Sequence, residues 1–288
     1  MGADLHFDYT TVGHVTIDVL PDGTRRTGGS AFYSALQAAR LGLRTLILTQ
    51  GVADEITSLI EPFTGGVDLE VQVLGAQATT RLQTSGLGHE RKQRVLAWAG
   101  VMPDGLRVSS EILHLAPVAR ESPGAWTGST GFVGLTPQGL ARTWSPGGGE
   151  VTLAAVPPDL ARVAGRCDAV ALNVHETDAC SGVIATARRA GALIAITAQD
   201  DPNRLLLPDG ADVEVPVAEL SRHVDDLGAG DVYAAALFTS LSEGEEPLQA
   251  ALFANAASAV RMLGYGAGAI GDRASVQARM RSVAEQAG

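Results

Sequence analysis

Strand-like and helix-like segments alternate along most of this chain, and that alternation narrows the fold before any residue is given chemistry. β-Branched residues predict a strand over 11–20, followed by a helix over 30–41 that Ser30 caps and Gly42 ends. Leu46, Ile47 and Leu48 form an unbroken apolar run in a strand over 45–49, the pattern of a strand buried on both faces. A helix over 54–63 and a strand over 67–73 come next, then strands over 112–116, 132–135, 168–173 and 192–197. A helix over 176–190, closed by Gly191, separates the last two strands, and helices over 229–241, 247–263 and 273–286 finish the chain. Strand, helix, strand at this spacing is the signature of parallel crossovers, so the expected class is α/β with an open, mostly parallel sheet flanked by helices. One stretch, 78–98, breaks the pattern: a Thr-rich start, Gly86 and Gly88, a polar patch, then Val95, Leu96 and Ala97. It reads as a β-hairpin too polar for a central strand, a flap lying over something.

Charge composition removes several functions. The 288 residues hold 21 basic side chains, of which Lys92 is the single lysine, against 32 acidic ones, a net charge of −11. A GxxxxGK[ST] phosphate loop needs a lysine after its second glycine, and none stands there. No Schiff-base lysine is placed for work. The acidic balance argues against nucleic-acid and membrane partners, which favour a basic face. Cys167 and Cys180 are too few for a disulfide framework, and the N-terminal MGADLHFDYT lacks a charged-then-apolar pattern, so the expectation is a cytoplasmic protein with free thiols. The histidines form no HExxH and no metal-ligand pair, and no G-x-S-x-G elbow exists.

Three constellations carry chemistry. In Val224-Asp225-Asp226-Leu227-Gly228-Ala229-Gly230-Asp231 a Gly-Ala-Gly turn opens directly into a helix. Backbone N–H groups and the helix N-terminus suit an anion there, and Asp231 in the first turn is placed to take a proton from a hydroxyl attacking a phosphate. The bland alternative is an acidic residue that merely stabilises the helix. Asn173-Val174-His175-Glu176 joins a strand end to a helix start at the carboxyl edge of the sheet, where open α/β sheets bind ligands. Asn173 and Glu176 suit a hydrated Mg²⁺; the alternative is plain helix capping. Gly28-Gly29-Ser30 permits close backbone approach, with Asp18 upstream able to accept two hydroxyl hydrogen bonds. Gly266-Ala267-Gly268-Ala269-Ile270-Gly271 is a literal GxGxxG, but a helix precedes it and little chain follows, so a dinucleotide reading is rejected.

Taken together and in this order, these motifs resemble the ribokinase-like (PfkB) carbohydrate kinases. The resemblance runs over nearly the whole chain: Val12-Gly13-His14 to Asp18, Gly28-Gly29-Ser30-Ala31-Phe32-Tyr33, Asn173-x-x-Glu176, and Asp225-x-x-Gly228-Ala229-Gly230-Asp231. It implies one ribokinase-like α/β domain over 1–288 with a small β lid from about 14–28 and 78–98. Gly228, Ala229 and Gly230 would form an anion hole and Asp231 would be the catalytic base. Asp18, Gly28, Gly29, Ser30 and Tyr33 would meet substrate. Asn173 and Glu176 would organise Mg²⁺. ATP would meet Asn173, Thr197 and Asp225, its base lying near Phe253, Asn255 and Gly266. Three departures stand out. Tyr33 replaces the family's usual Asn, Asp226 its usual Thr, and Thr197-Ala198-Gln199 its Thr-x-Gly. The segments Thr79-Thr80-Arg81, Glu90-Arg91-Lys92-Gln93, 114–119 and 134–139 are similar to a branch that includes myo-inositol kinases.

The expected function is therefore an ATP- and Mg²⁺-dependent kinase acting on a hydroxyl of a small polyol, a cyclitol such as myo-inositol or a sugar. A nucleoside kinase and a catalytically weak sugar sensor on the same scaffold are the alternatives. No sequence feature decides whether the lid also pairs two copies in a homodimer.

Overall fold

The structure, a computed structural model, describes residues 6–86, 91–198, 201–217, 220 and 223–287, with side chains to 283. The hairpin turn at Gly88 and Glu90, and Gln199 of the Thr197 motif, lie outside the described residues.

Among the described residues, nine strands form the large sheet, in the order Asp212–Val215, Asn203–Leu206, Leu193–Thr197, Ala169–Asn173, Thr130–Leu135, Ser110–Leu115, Phe7–Val12, Thr45–Gly51, Leu69–Gly75. The sheet is parallel from Leu193–Thr197 through Leu69–Gly75. Two antiparallel strands, which the apolar pattern did not announce, finish the other edge. Both faces are buried, because the side-chain period of two sends alternate residues to opposite layers. Ala169 and Ala171, with Leu193 and Ala195, point into one core; Val170 and Leu172, with Ile194 and Ile196, point into the other. Small residues on the first face admit the helix Ala229–Ser242, buried along Val232–Ser240. An all-round apolar helix of this kind has to sit inside. The helices Ser30–Arg40 and Pro247–Met262 pack on it in the same layer, and Ser181–Arg189 covers the opposite face. None of the described helices is long and apolar enough to cross a membrane.

A second, five-stranded sheet stands apart, in the order Gly149–Glu150, Lys92–Ala97, Arg81–Ser85, Thr16–Val19, Arg25–Gly28. It draws on both segments expected to build a lid and adds the two residues at 149–150.

Three local expectations are corrected. The strand over 11–20 is two strands, Phe7–Val12 in the large sheet and Thr16–Val19 in the small one. The break falls at Gly13, where a Cβ would lie 2.2 Å from the Ala116 carbonyl oxygen, so the chain passes its neighbour too closely for a side chain. The helix over 30–41 is capped by Gly29 at φ 97° rather than by Ser30, because Gly29 lies against the His14 carbonyl, where a Cβ would be 2.2 Å away. The helix over 176–190 begins only at Ser181, after a single 3-10 turn, Val174–Glu176.

Candidate active site

A cleft of about 1600 Å³ opens at the carboxyl edge of the parallel strands. Asn173 and Thr197 line its floor, the small sheet contributes Leu82 and Gln93, Arg91 enters from just before the strand Lys92–Ala97, and the helices Ala229–Ser242 and Pro247–Met262 supply another wall.

The turn Asp225–Gly230 is built around one glycine. Gly228 is left-handed at φ 81°, and a Cβ on it would meet the Tyr33 ring at 2.3 Å, so conformation and space both demand glycine. Ala229 donates to the Asp226 carbonyl at 3.1 Å, closing the turn, and the next N–H groups belong to a helix start that has no intrahelical acceptor. Nothing lies within 4 Å of a Cβ built on Gly230, which faces open cleft. Amides, a helix N-terminus and an empty cradle fit an anionic group.

Asp231 follows in the first helical turn and lines the cleft. Burial raises its carboxyl to about 6; Ser30's hydroxyl, Arg142 and Arg91 pull it down, and Glu176 adds to the rise. Asp18 lies against the same cleft, its carboxyl also raised to about 6 by burial, with Thr16 Oγ1 donating to Oδ1 at 2.8 Å. Gly28 does not line the cleft but makes room for that carboxylate: a Cβ there would sit 2.2 Å from Asp18 Oδ2. Gly29, Ser30 and Tyr33 do line it. Burial raises the Tyr33 phenol, and Asp18 adds to the rise.

Asn173 and Glu176 form a reciprocal cap. Asn173 Oδ1 accepts from His175 N at 3.0 Å, and Glu176 Oε2 accepts from Asn173 N at 3.0 Å. Capping, the bland alternative, is thus what these side chains do here. The same bonds hold Glu176 at the cleft, 7% exposed, with Oε1 accepting from Gln138 Nε2 at 3.0 Å. Among the described residues no cluster of three or more His, Cys, Asp or Glu side chains is arranged to hold a metal. Glu176, fixed by these bonds on a cleft that also holds an anion cradle, fits Mg²⁺ that keeps its waters and arrives with phosphates, and does not fit a dedicated protein cage.

The expected nucleotide residues divide. Thr197 and Asn255 line the cleft. Asn255 is also a strut, accepting from Asn203 Nδ2 at 2.7 Å and donating to the Pro216 carbonyl at 3.0 Å. Three of the expected residues lie off the cleft lining. Phe253 points into the core, 8% exposed, and does not line the cleft. Helix periodicity puts it on the buried side of Pro247–Met262, opposite the face that Asn255 presents. Asp225 and Gly266 do not line it either: Gly266 N donates to Asp225 Oδ2 at 2.9 Å, and this buried carboxylate braces the turn. Arg261, wholly buried, donates Nη2 to the same carboxylate oxygen at 3.1 Å and to the Leu227 carbonyl at 2.6 Å.

Sequence reasoning missed Arg142. It lines the cleft, donates Nη1 to the Val118 carbonyl at 2.9 Å, and feels Glu176, Asp231, Glu121 and Asp18, while burial lowers its pKa. Little in the sequence marked it: it follows the Thr136-Pro137-Gln138-Gly139 turn on a two-residue strand, one arginine among twenty.

An open α/β sheet, a second sheet beside the cleft and a Gly-Ala-Gly helix start at the strand ends define the ribokinase fold, and solved structures of that fold superpose over nearly the whole chain. A pyrophosphate-dependent kinase in the ribokinase family, complexed with a pyrophosphate analogue and myo-inositol, gives a TM-score of 0.72 at 19% identity over 94% of this chain and 99% of that one. Arabidopsis thaliana ribokinase complexed with ribose and ATP gives 0.71 at 17% over 96% and 99%, and a Methanocaldococcus jannaschii nucleoside kinase 0.74 at 16% over 96% and 98%. No protein-family model and no curated protein matches the sequence.

Proposed function

We propose that this chain transfers the terminal phosphoryl group of ATP to a hydroxyl of a small polyol, with a cyclitol such as myo-inositol as the first candidate. The observation that carries the reading is the placement of Asp231 beside the Gly228–Gly230 cradle, with Asp18 on the same cleft. Asp18 would accept hydrogen bonds from acceptor hydroxyls and orient one of them. As that oxygen attacks, its proton passes to the Asp231 carboxylate, the new O–P bond forms, and the bond to the leaving phosphate oxygen breaks, releasing ADP. The 228–230 amides would receive the charge on the transferred group. Arg142 would supply the fixed cation that a nearly lysine-free chain must find elsewhere. Asn173 and Glu176 would hold Mg²⁺ and its waters, and the ion would neutralise phosphate charge when bound with the nucleotide.

The far wall of the cleft favours a nucleotide as donor. Leu252, Ala256, Ala259, Met262 and Met280 give the cleft an apolar side. A nucleobase uses such a surface and pyrophosphate does not. ADP release should therefore depend on an acceptor when ATP·Mg is offered with a panel of inositols, pentoses, hexoses and nucleosides. Pyrophosphate should support less than a tenth of that rate; equal or faster transfer from pyrophosphate would overturn the donor assignment.

The raised carboxyls predict a pH profile. Asp231 works deprotonated, as does Asp18 when it accepts two hydroxyl bonds, so kcat/KM for the acceptor should fall on the acid side with a midpoint near 6. A profile flat from pH 8 to 5 would contradict the base assignment.

A further inference from the structure

Two consecutive carboxylates lead into the Gly228–Gly230 turn, and the small sheet grips both. Arg26, on the strand Arg25–Gly28, places Nη1 3.2 Å from Asp225 Oδ2. Arg91, immediately before the strand Lys92–Ala97, pairs through Nη2 with Asp226 Oδ1. Asp225 is already fixed from within the larger body by Arg261, Leu227 N and Gly266 N. Asp226 is the residue whose own carbonyl accepts from Ala229 N, so a pull on it is a pull on the turn itself. Arg91 and Asp226 both line the cleft, with side chains 22% and 13% exposed, and a pair so sheltered is screened less by salt than a surface pair.

We propose that Arg91 and Asp226 are positioning residues: their ion pair sets the 226–229 turn against the small sheet, so the 228–230 amides hold their aim when that sheet lies over the cleft. The consequence for turnover rests on the phosphotransferase reading; the structural part does not. The cradle would then be complete only under the covering sheet, which couples water exclusion to anion binding.

Hydrogen exchange of the full chain separates these statements. In Arg91→Met and in Asp226→Asn, amides within 226–231 should exchange about three- to tenfold faster, as for loss of one sheltered ion pair. The double variant should be no faster than the faster single, and Arg91→Lys should keep most of the protection. Exchange in the strand Leu193–Thr197 should not change. With an acceptor that passes the panel, kcat should drop in the single variants while acceptor KM stays within about twofold, the mark of an interaction felt in the transition state. Unchanged exchange at 226–231 in both singles, additive effects in the double, or faster exchange throughout the core would overturn the proposal. Coupled exchange in a chain that shows no turnover would support the positioning claim and sink the phosphotransferase reading instead.

Discussion

Asp231→Asn should lower acceptor-dependent turnover about a thousandfold, within the range that a positioned general base contributes. The substitution is nearly isosteric, leaves the Gly228–Gly230 turn intact and keeps a polar group in the first helical turn, so acceptor binding should survive. Stability should move the other way. Burial holds the Asp231 carboxyl at about 6 in the folded chain, against about 4 for a free aspartate. Between those values the folded state binds more protons than the unfolded one, so stability falls as pH rises through the window. At pH 7.5 the wild-type carboxylate is a net cost, and Asp231→Asn should raise Tm by about 2–4 °C; near pH 4 the gain should vanish. A variant that is more stable and far slower separates a catalytic carboxylate from a helix-stabilising one. An Asn variant that turns over at the wild-type rate would leave Asp231 with the helix-terminus role alone.

Asp225→Ala should be the most destabilising single change near the cleft. It strips the partner from Arg261, which is fully buried, and removes the acceptor for Gly266 N and Leu227 N. Breaking a buried ion pair from one side costs about 3–5 kcal/mol, because the remaining charge stays buried and unpaired. For a chain of this size that corresponds to a Tm loss of about 10 °C. Burial opposes ionisation of Asp225, but Gly266 N, Leu227 N and Arg261 together hold its carboxyl below the ordinary value. A depressed carboxyl contributes stability above the unfolded pKa of about 4 and loses it as pH falls through the folded value. The deficit of the Ala variant should therefore be full at pH 7 and shrink under acid, readable by thermal melts at both pH values. A Tm within about 2 °C of wild type at pH 7 would remove the brace from the account.

The strands were legible because parallel pairing buries both faces and leaves runs such as Leu46-Ile47-Leu48. The turn before Asp231 was legible because Gly228 has neither conformational nor spatial freedom, and sequences record such positions as motifs. What escaped the reading was set by distant neighbours. The break at Gly13 depends on the Ala116 carbonyl, and the cap at Gly29 on the His14 carbonyl. Asp225 looked like a ligand-facing group because the motif puts it beside the cradle; the guanidinium that turns it inward comes from residue 261. Phe253 shares a helix with Asn255 but not a face. Arg142 reaches the cleft from a two-residue strand and Arg91 from just before the strand Lys92–Ala97, both too short of pattern to give them away.

Phosphoryl transfer is tested most directly by following label from γ-phosphate-labelled ATP·Mg to myo-inositol and the other members of the acceptor panel, with the products separated. Label should appear in a phosphomonoester of the acceptor, formed in step with ADP. Label released only as inorganic phosphate, at a rate indifferent to every acceptor, or no release at all, would contradict phosphoryl transfer to the acceptor.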